Sequence, residues 1–80
     1  AYNTVRKRTA DVLMKLYDKY KTDAPTTSFK IARADLAGMV GTAPESVIRI
    51  LSEFKQDGFI EVDSSEIVIL QPEKIGKIKY

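Results

Sequence analysis

Residues 33–61 constrain the fold most, because two helical patterns of apolar side chains stand there on either side of a glycine. The first pattern predicts a short helix whose apolar face is formed by Leu36, Ala37 and Val40. The second predicts a longer helix whose apolar face is formed by Val47, Ile50, Leu51 and Phe54. Gly41 permits a sharp turn between them, since glycine tolerates the left-handed backbone conformation. We therefore predict a helix-turn-helix whose second helix carries Glu45, Ser46 and Arg49 on its outward face.

Length and composition exclude several classes of function. A chain of 80 residues makes one domain with one core, and such a domain buries roughly 60 to 65% of its unfolded surface. The sequence contains no cysteine and no histidine, so disulfide scaffolds, zinc fingers, thiol nucleophiles and histidine catalysis are excluded. Apolar runs are far shorter than the ~20 residues of a membrane helix, and no signal-like segment opens the chain. We expect a soluble, cytoplasmic domain that is not an enzyme and holds no metal or cofactor.

The net charge of +2, from 13 basic and 11 acidic residues, allows nucleic-acid binding without requiring it. The basic residues gather in three places: residues 6–8, Lys30 with Arg33, and Lys74, Lys77 and Lys79. Clusters of this kind are usually solvated faces. For the two terminal clusters, a solvated face and a binding role both remain open.

Patterns before residue 33 predict a helix, a loop and a strand. The helix covers about residues 4–20 and has an apolar stripe of Val5, Val12, Leu13, Leu16, Tyr17 and Tyr20. Residues 21–27 are rich in turn formers and predict a loop. Residues 28–31 alternate apolar and polar side chains, which is typical of a short strand.

Patterns after the second helix complete an α+β, mainly helical fold. Gly58 ends that helix as a left-handed cap, and strands at about residues 59–62 and 66–70 form a hairpin. Pro72 suits the first position of a last short helix. This order predicts a winged helix-turn-helix: a three-helix core with a small antiparallel sheet and a short C-terminal helix. Residues 1–80 then form a single domain.

The second helix, about residues 44–57, spans roughly 21 Å and fits the major groove of DNA with its N-terminal turns nearest the base edges. Arg49 can pair with guanine O6 and N7, and Glu45 can accept a hydrogen bond from cytosine N4. Ser46 can bond a base or a phosphate, and Ile48 can contact a thymine methyl. The competing interpretation is a surface ion pair between Glu45 and Arg49, which lie one turn apart.

Candidates for phosphate contacts are the backbone at the helix starts and the side chains of Lys30, Arg33, Thr42, Ser64 and Ser65. Arg33 ranks first among them because the first helix of the pair would meet the DNA backbone there. The N-terminus of the second helix has two possible arrangements. Thr42 and Glu45 can form a capping box, or Pro44 can take the first helical position behind a weak Ala43 cap. We favour the second, because proline disfavours helical geometry at Ala43 and the arrangement leaves Glu45 free for DNA.

Four stretches together resemble the C-terminal DNA-binding domain of the Crp/Fnr family of bacterial transcription regulators: residues 31–37 (IARADLA), 40–42 (VGT), 45–51 (ESVIRIL) and 58–60 (GFI). The resemblance implies that Glu45 and Arg49 occupy base-reading positions and that Arg33 occupies a phosphate-contacting one. Two departures stand out. Ala32 replaces a capping Thr or Ser, and Pro44 replaces a base-reading arginine of many members, so one guanine contact is missing.

The same resemblance implies parts outside this chain: a preceding β-roll effector domain, often for a cyclic nucleotide, and a long dimerisation helix. The chain starts at Ala1 and soon enters a helix, so we expect a fragment of a longer regulator. The full-length protein would be a homodimer with recognition helices about 34 Å apart, and this fragment a monomer. The 21–27 loop falls where some members touch RNA polymerase.

The competing function is a protein-interaction module without base readout, in which the apolar wing strand and Ile48 meet a protein partner. A continuous positive face formed by Lys30, Arg33 and Arg49 favours DNA, because phosphate contacts need clustered cations.

Overall fold

The structure is a computed structural model that describes residues 2–79. Residues 2–79 form four helices and three strands: α1 (Tyr2–Tyr20), β1 (Thr27–Lys30), α2 (Arg33–Val40), α3 (Pro44–Gln56), β2 (Ile60–Asp63), β3 (Glu66–Ile69) and α4 (Pro72–Gly76). This order confirms the predicted winged helix-turn-helix. Helix α1 begins two residues before the predicted start, and the side chain of its first residue, Tyr2, contacts Arg49 and Glu53 of α3.

The sheet is antiparallel, with strand order β1-β3-β2. Ile69 of the central strand stands between Thr27 of β1 and Ile60 of β2. The predicted wing of two strands therefore gains β1 as a third strand, which extends the sheet towards α1. Ser64 makes the tight turn between β2 and β3 with a φ of 59°.

One core lies between the helices and the inner face of the sheet. Its fully buried side chains include Leu13, Leu36, Val47, Ile50, Phe54, Ile60, Ile67, Ile69 and Ile75. Tyr20, which the apolar stripe placed towards the core, is 46% exposed and stacks on Phe29 instead. Thr9 is fully buried, and its hydroxyl donates to the Val5 carbonyl at 2.8 Å. No helix within residues 2–79 is both long and apolar enough to cross a membrane.

Helix α3 starts as the favoured arrangement requires. Ala43 is the N-cap residue and carries no side-chain acceptor, while Pro44 takes the first helical position. The Glu45 carboxylate is thus not part of a capping box. Gly58 follows the helix with a φ of 79°, which confirms it as the left-handed cap. Ala32 likewise precedes α2 without a side-chain cap.

Arg8 of α1 holds the turn between α2 and α3. Its Nε donates to the Val40 carbonyl at 3.0 Å, and its Nη2 donates to the Gly41 carbonyl at 3.1 Å. Gly41 has a φ of 86°, and its N–H donates to the Ala37 carbonyl at 2.8 Å. Carbonyls at a helix C-terminus have no partner within the helix, so this contact fixes the turn that precedes α3.

We predict that Gly41→Ala destabilises the domain by about 1–2 kcal/mol, since a side chain in the left-handed region is strained. The new Cβ would also lie 3.2 Å from Arg8 Nη2 and displace that guanidinium. Chemical denaturation followed by circular dichroism measures the loss. Gly38→Ala is the matched control, because nothing lies within 4 Å of its Cβ position inside α2. It should stabilise the domain by about 0.5–1 kcal/mol; equal responses at both glycines would contradict the prediction.

Candidate nucleic-acid interface

An exposed strip runs along the outer side of α3, opposite its buried face. The strip consists of Glu45, Arg49, Ser52 and Gln56, which are exposed at successive turns. The outward positions predicted for Glu45 and Arg49 therefore agree with the structure, while their contacts to DNA stay predictions. Ser52 and Gln56 were missed, although the same helical period that selected Glu45 and Arg49 would have found them.

Ser46 lies on the flank of α3 that faces α1. It is half-buried and lines a groove of about 450 Å³ together with Tyr2, Thr4, Val5 and Arg8. One residue along a helix turns the side chain by about 100°, which moves Ser46 from the exposed strip to this flank. The first turns of α1 thus border a position that the sequence placed facing outward, and Ser46 is half-buried there.

The guanidinium of Arg49 lies over the ring of Tyr2, with its Cζ 5.0 Å from the ring centroid. The Tyr2 hydroxyl donates to Oε2 of Glu53. Burial raises the pKa of Tyr2, and the hydrogen bond and charge of Glu53 raise it further, while Arg49 and Arg6 lower it.

Arg49 contacts the ring of Tyr2 and does not form an ion pair with Glu45. That ion pair was the alternative to base reading in the sequence analysis. The salt bridges within residues 2–79 join Arg6 to Glu53, Lys7 to Asp11, and Lys21 to Asp18. None of these described pairs includes Glu45 or Arg49. Glu45 and Arg49 therefore form no ion pair with each other.

The basic cluster at residues 6–8 is used within the fold. Arg6 Nε lies 3.6 Å from Glu53 Oε1, and its Cζ lies 5.1 Å above the Phe54 ring centroid. Lys7 pairs with Asp11 at 2.7 Å, and Arg8 donates to the carbonyls of Val40 and Gly41 at the end of α2. This cluster therefore supports the packing of α1, whereas Lys74, Lys77 and Lys79 are exposed.

The opposite flank of α3 faces the wing and is bordered by two cations, Arg33 of α2 and Lys55 of α3. A notch of about 150 Å³ is lined by Arg33, Ile48, Leu51, Ser52, Lys55 and Val62. Arg33 Nη2 donates to the Ser64 carbonyl at 3.0 Å, so it ties α2 to the wing turn. Its Nη1 is buried without a hydrogen-bond partner among the described residues. Lys55 of α3 is exposed and borders the same notch as Arg33.

Ile48 is 48% exposed beside this notch, as a contact to a thymine methyl requires. The remaining phosphate candidates are scattered. Lys30 is exposed at the end of β1, opposite Glu66 in the sheet register, and Thr42 is half-buried in the turn before α3. Ser64 and Ser65 are exposed at the wing turn.

Acidic neighbours weaken the wing turn as an anion contact. Ser64 and Ser65 stand between Asp63 and Glu66, which face each other in the β2–β3 register. Two carboxylates beside these hydroxyls repel a phosphate, because the Coulomb interaction between like charges is unfavourable at short range. Glu66 also faces Lys30 in the β1–β3 register, so the continuous positive face of Lys30, Arg33 and Arg49 that would favour DNA is interrupted at Lys30.

Comparisons with known proteins agree with this geometry. Residues 7–78 match the profile of a family described as a Crp-like helix-turn-helix domain. The catabolite activator protein of Thermus thermophilus superposes with a TM-score of 0.84 at 23% identity, covering 96% of this chain and 34% of that one. A CRP/FNR-family transcriptional regulator from the same organism gives a TM-score of 0.81 at 21% identity, covering 91% and 39%.

A third structure, FixK2 from Bradyrhizobium japonicum, gives a TM-score of 0.81 at 19% identity, covering 95% of this chain and 38% of that one. The present chain thus spans between 34% and 39% of the length of these three structures. Comparison with curated protein sequences gave no significant match.

Proposed function

We propose that this chain, which belongs to the Crp-like helix-turn-helix domain family, binds double-stranded DNA sequence-specifically through α3 in the major groove. The observation that carries the proposal is the exposed strip of α3. It presents Glu45 in the first turn and Arg49 one turn later, and neither is paired with the other. A recognition helix needs polar side chains with free donors and acceptors at these turns.

Four side chains near the start of α3 take separate roles. Arg49 pairs with guanine O6 and N7, Glu45 accepts from cytosine N4, and Ile48 contacts a thymine methyl from the wing flank. Ser46 is half-buried on the flank of α3, so it is better placed to contact the DNA backbone than a base. Pro44 leaves the start of α3 without a second arginine, so the preferred site contains fewer guanines read by side chains.

Phosphate contacts come mainly from the wing side of α3. Arg33 and Lys55 border one notch there, and two cations beside the recognition helix suit the DNA strand that passes between the helix and the wing. Lys30 and Thr42 add weaker contacts. Ser64 and Ser65 contribute least, since Asp63 and Glu66 flank them.

The domain acts as the output domain of a longer regulator, in keeping with the 34% to 39% of the neighbouring structures that it spans. An effector, such as a cyclic nucleotide, binds a separate domain of that regulator. A homodimer places two α3 helices about 34 Å apart on a two-fold-related site. The isolated domain is monomeric and binds one half-site, and the loop between α1 and β1 is the candidate contact to RNA polymerase.

Replacement of Arg49 tests base reading directly. A preferred duplex is first selected from a random library, and wild type and Arg49→Ala are titrated against the selected and random duplexes. Arg49→Ala should bind the selected duplex roughly 5- to 150-fold more weakly, the range expected for one bidentate base contact, and should bind random duplex nearly as well as wild type.

Lys55→Ala is the matched control, because it removes one positive charge from the same helix at a residue proposed to meet phosphate. It should weaken binding to the selected duplex and to the random duplex by similar factors. If Arg49→Ala behaves like Lys55→Ala, Arg49 does not read a base. If wild type binds neither duplex, the protein-interaction function is the better account of the exposed Ile48.

A further inference from the structure

The first turn of α1 reaches across the fold to the recognition helix. Tyr2 and Glu53 are 51 residues apart in sequence, yet the Tyr2 hydroxyl donates to the Glu53 carboxylate. The same carboxylate lies 3.6 Å from Arg6 Nε. Glu53 stands one turn after Arg49 on α3, on the flank that faces α1. Tyr2 is therefore fixed to α3 at the hydroxyl end of its ring.

The face of that ring lies beneath Arg49, whose Cζ is 5.0 Å from the ring centroid. A cation over an aromatic face is attracted by the ring quadrupole. Within residues 2–79, the Arg49 guanidinium donates no hydrogen bond to a protein acceptor. The contact with Tyr2 thus restricts the arginine while its N–H donors stay available.

We propose that Tyr2 is a positioning residue for base reading by Arg49: its ring, held by Glu53, orders the guanidinium before DNA arrives. The proposal rests on the proposed role of Arg49. An arginine side chain loses considerable rotamer freedom when it is immobilised at an interface. A ring that has already restricted the side chain reduces this loss, so the start of α1 contributes to affinity for the selected site without touching DNA.

The first test measures the order of Arg49 in the free protein. Nuclear magnetic relaxation of the Arg49 Nε–Hε group should show a restricted side chain in wild type and a more mobile one in Tyr2→Ala. Tyr2→Phe keeps the ring but loses the hydroxyl that binds Glu53, and it should fall between them. Unchanged order in Tyr2→Ala overturns the proposal.

Tyr20→Ala is the matched control. Tyr20 ends the same helix, roughly 27 Å away at 1.5 Å per residue. Lys19 Nζ lies 5.3 Å from its ring centroid, so this substitution also removes a ring with a cation over it. Tyr20→Ala should leave the order of Arg49 unchanged. Equal loosening of Arg49 in both variants would point to general destabilisation of α1 and overturn the proposal.

The second test is a double-mutant cycle on the selected and random duplexes. Tyr2→Ala should weaken selected-site binding about two- to tenfold, as expected for releasing one long side chain, and leave random binding unchanged. In the Arg49→Ala background it should have no further effect. A persisting effect there, or tighter binding by Tyr2→Ala alone, overturns the proposal. If instead Arg49→Ala keeps the base discrimination of wild type, the role of Arg49 in the proposed function fails, and if wild type itself does not discriminate, the proposed function fails. Both outcomes are distinct from an intact Arg49 effect without coupling to Tyr2.

Discussion

DNA binding by this domain is expected to weaken roughly 40- to 500-fold when the salt concentration rises from about 50 to 200 mM, for roughly three to five phosphate contacts at the usual slope for duplex DNA. Each contact with a phosphate releases a condensed counterion, and added salt opposes that release. The net charge of +2 is too small to supply this dependence as a whole. It arises from cations placed beside α3, of which Arg33 and Lys55 border one notch.

Fluorescence anisotropy titrations of a labelled duplex at several salt concentrations measure the slope. Lys55→Ala should reduce the slope by about one unit. Lys74→Ala is the matched control: it removes the same charge from an exposed position on α4, which packs on α1, and it should leave the slope unchanged. Binding without a salt dependence would contradict the phosphate contacts and favour the protein-interaction function.

Phe54→Ala is expected to reduce the free energy of unfolding by about 3–5 kcal/mol, the usual cost of truncating a buried phenylalanine. Phe54 is fully buried on α3, its ring centroid lies 6.1 Å from that of Phe59, and Arg6 lies over its face. An 80-residue domain has a total stability of about 4–12 kcal/mol. The substitution therefore removes a large share of the stability, because the cavity leaves several elements without contacts.

Urea denaturation followed by circular dichroism measures this loss. Phe59→Ala is the matched control, since Phe59 packs against Phe54 but is only partly buried. The same truncation there should cost clearly less, because less apolar surface leaves water on folding at that position. Equal losses at the two positions would show that burial of Phe54 is not what stabilises α3.

The helix-turn-helix was predictable because its signals are local. Pro44 and Gly58 bracket α3, and the predicted end of the helix differs from the observed end, Gln56, by one residue. The full sheet was less accessible to sequence. Thr27 pairs with Ile69 across about forty residues, and a pattern of alternation in β1 does not indicate which strand it joins.

The candidate site also has features that local sequence patterns predict and features that they do not. Glu45 and Arg49 were placed outward correctly, because the side opposite an apolar stripe is exposed wherever that stripe is buried. Ser46 was placed outward as well, yet it is half-buried beside the first turns of α1. The stripe identifies the buried face of α3 but not which neighbouring element lies along its flanks. The structural use of the basic residues 6–8 escaped prediction for the same reason.

The sequence by itself determined the order of elements, the turn at Gly41 and the buried and exposed sides of α3, because helical period, glycine and proline act over a few neighbouring residues. Only the tertiary structure decided what surrounds the exposed side. It set Tyr2 under Arg49, Arg8 on the carbonyls at the end of α2, and Arg33 on the wing turn. Each of these contacts joins residues more than thirty positions apart, and their geometry depends on how whole elements pack around the core.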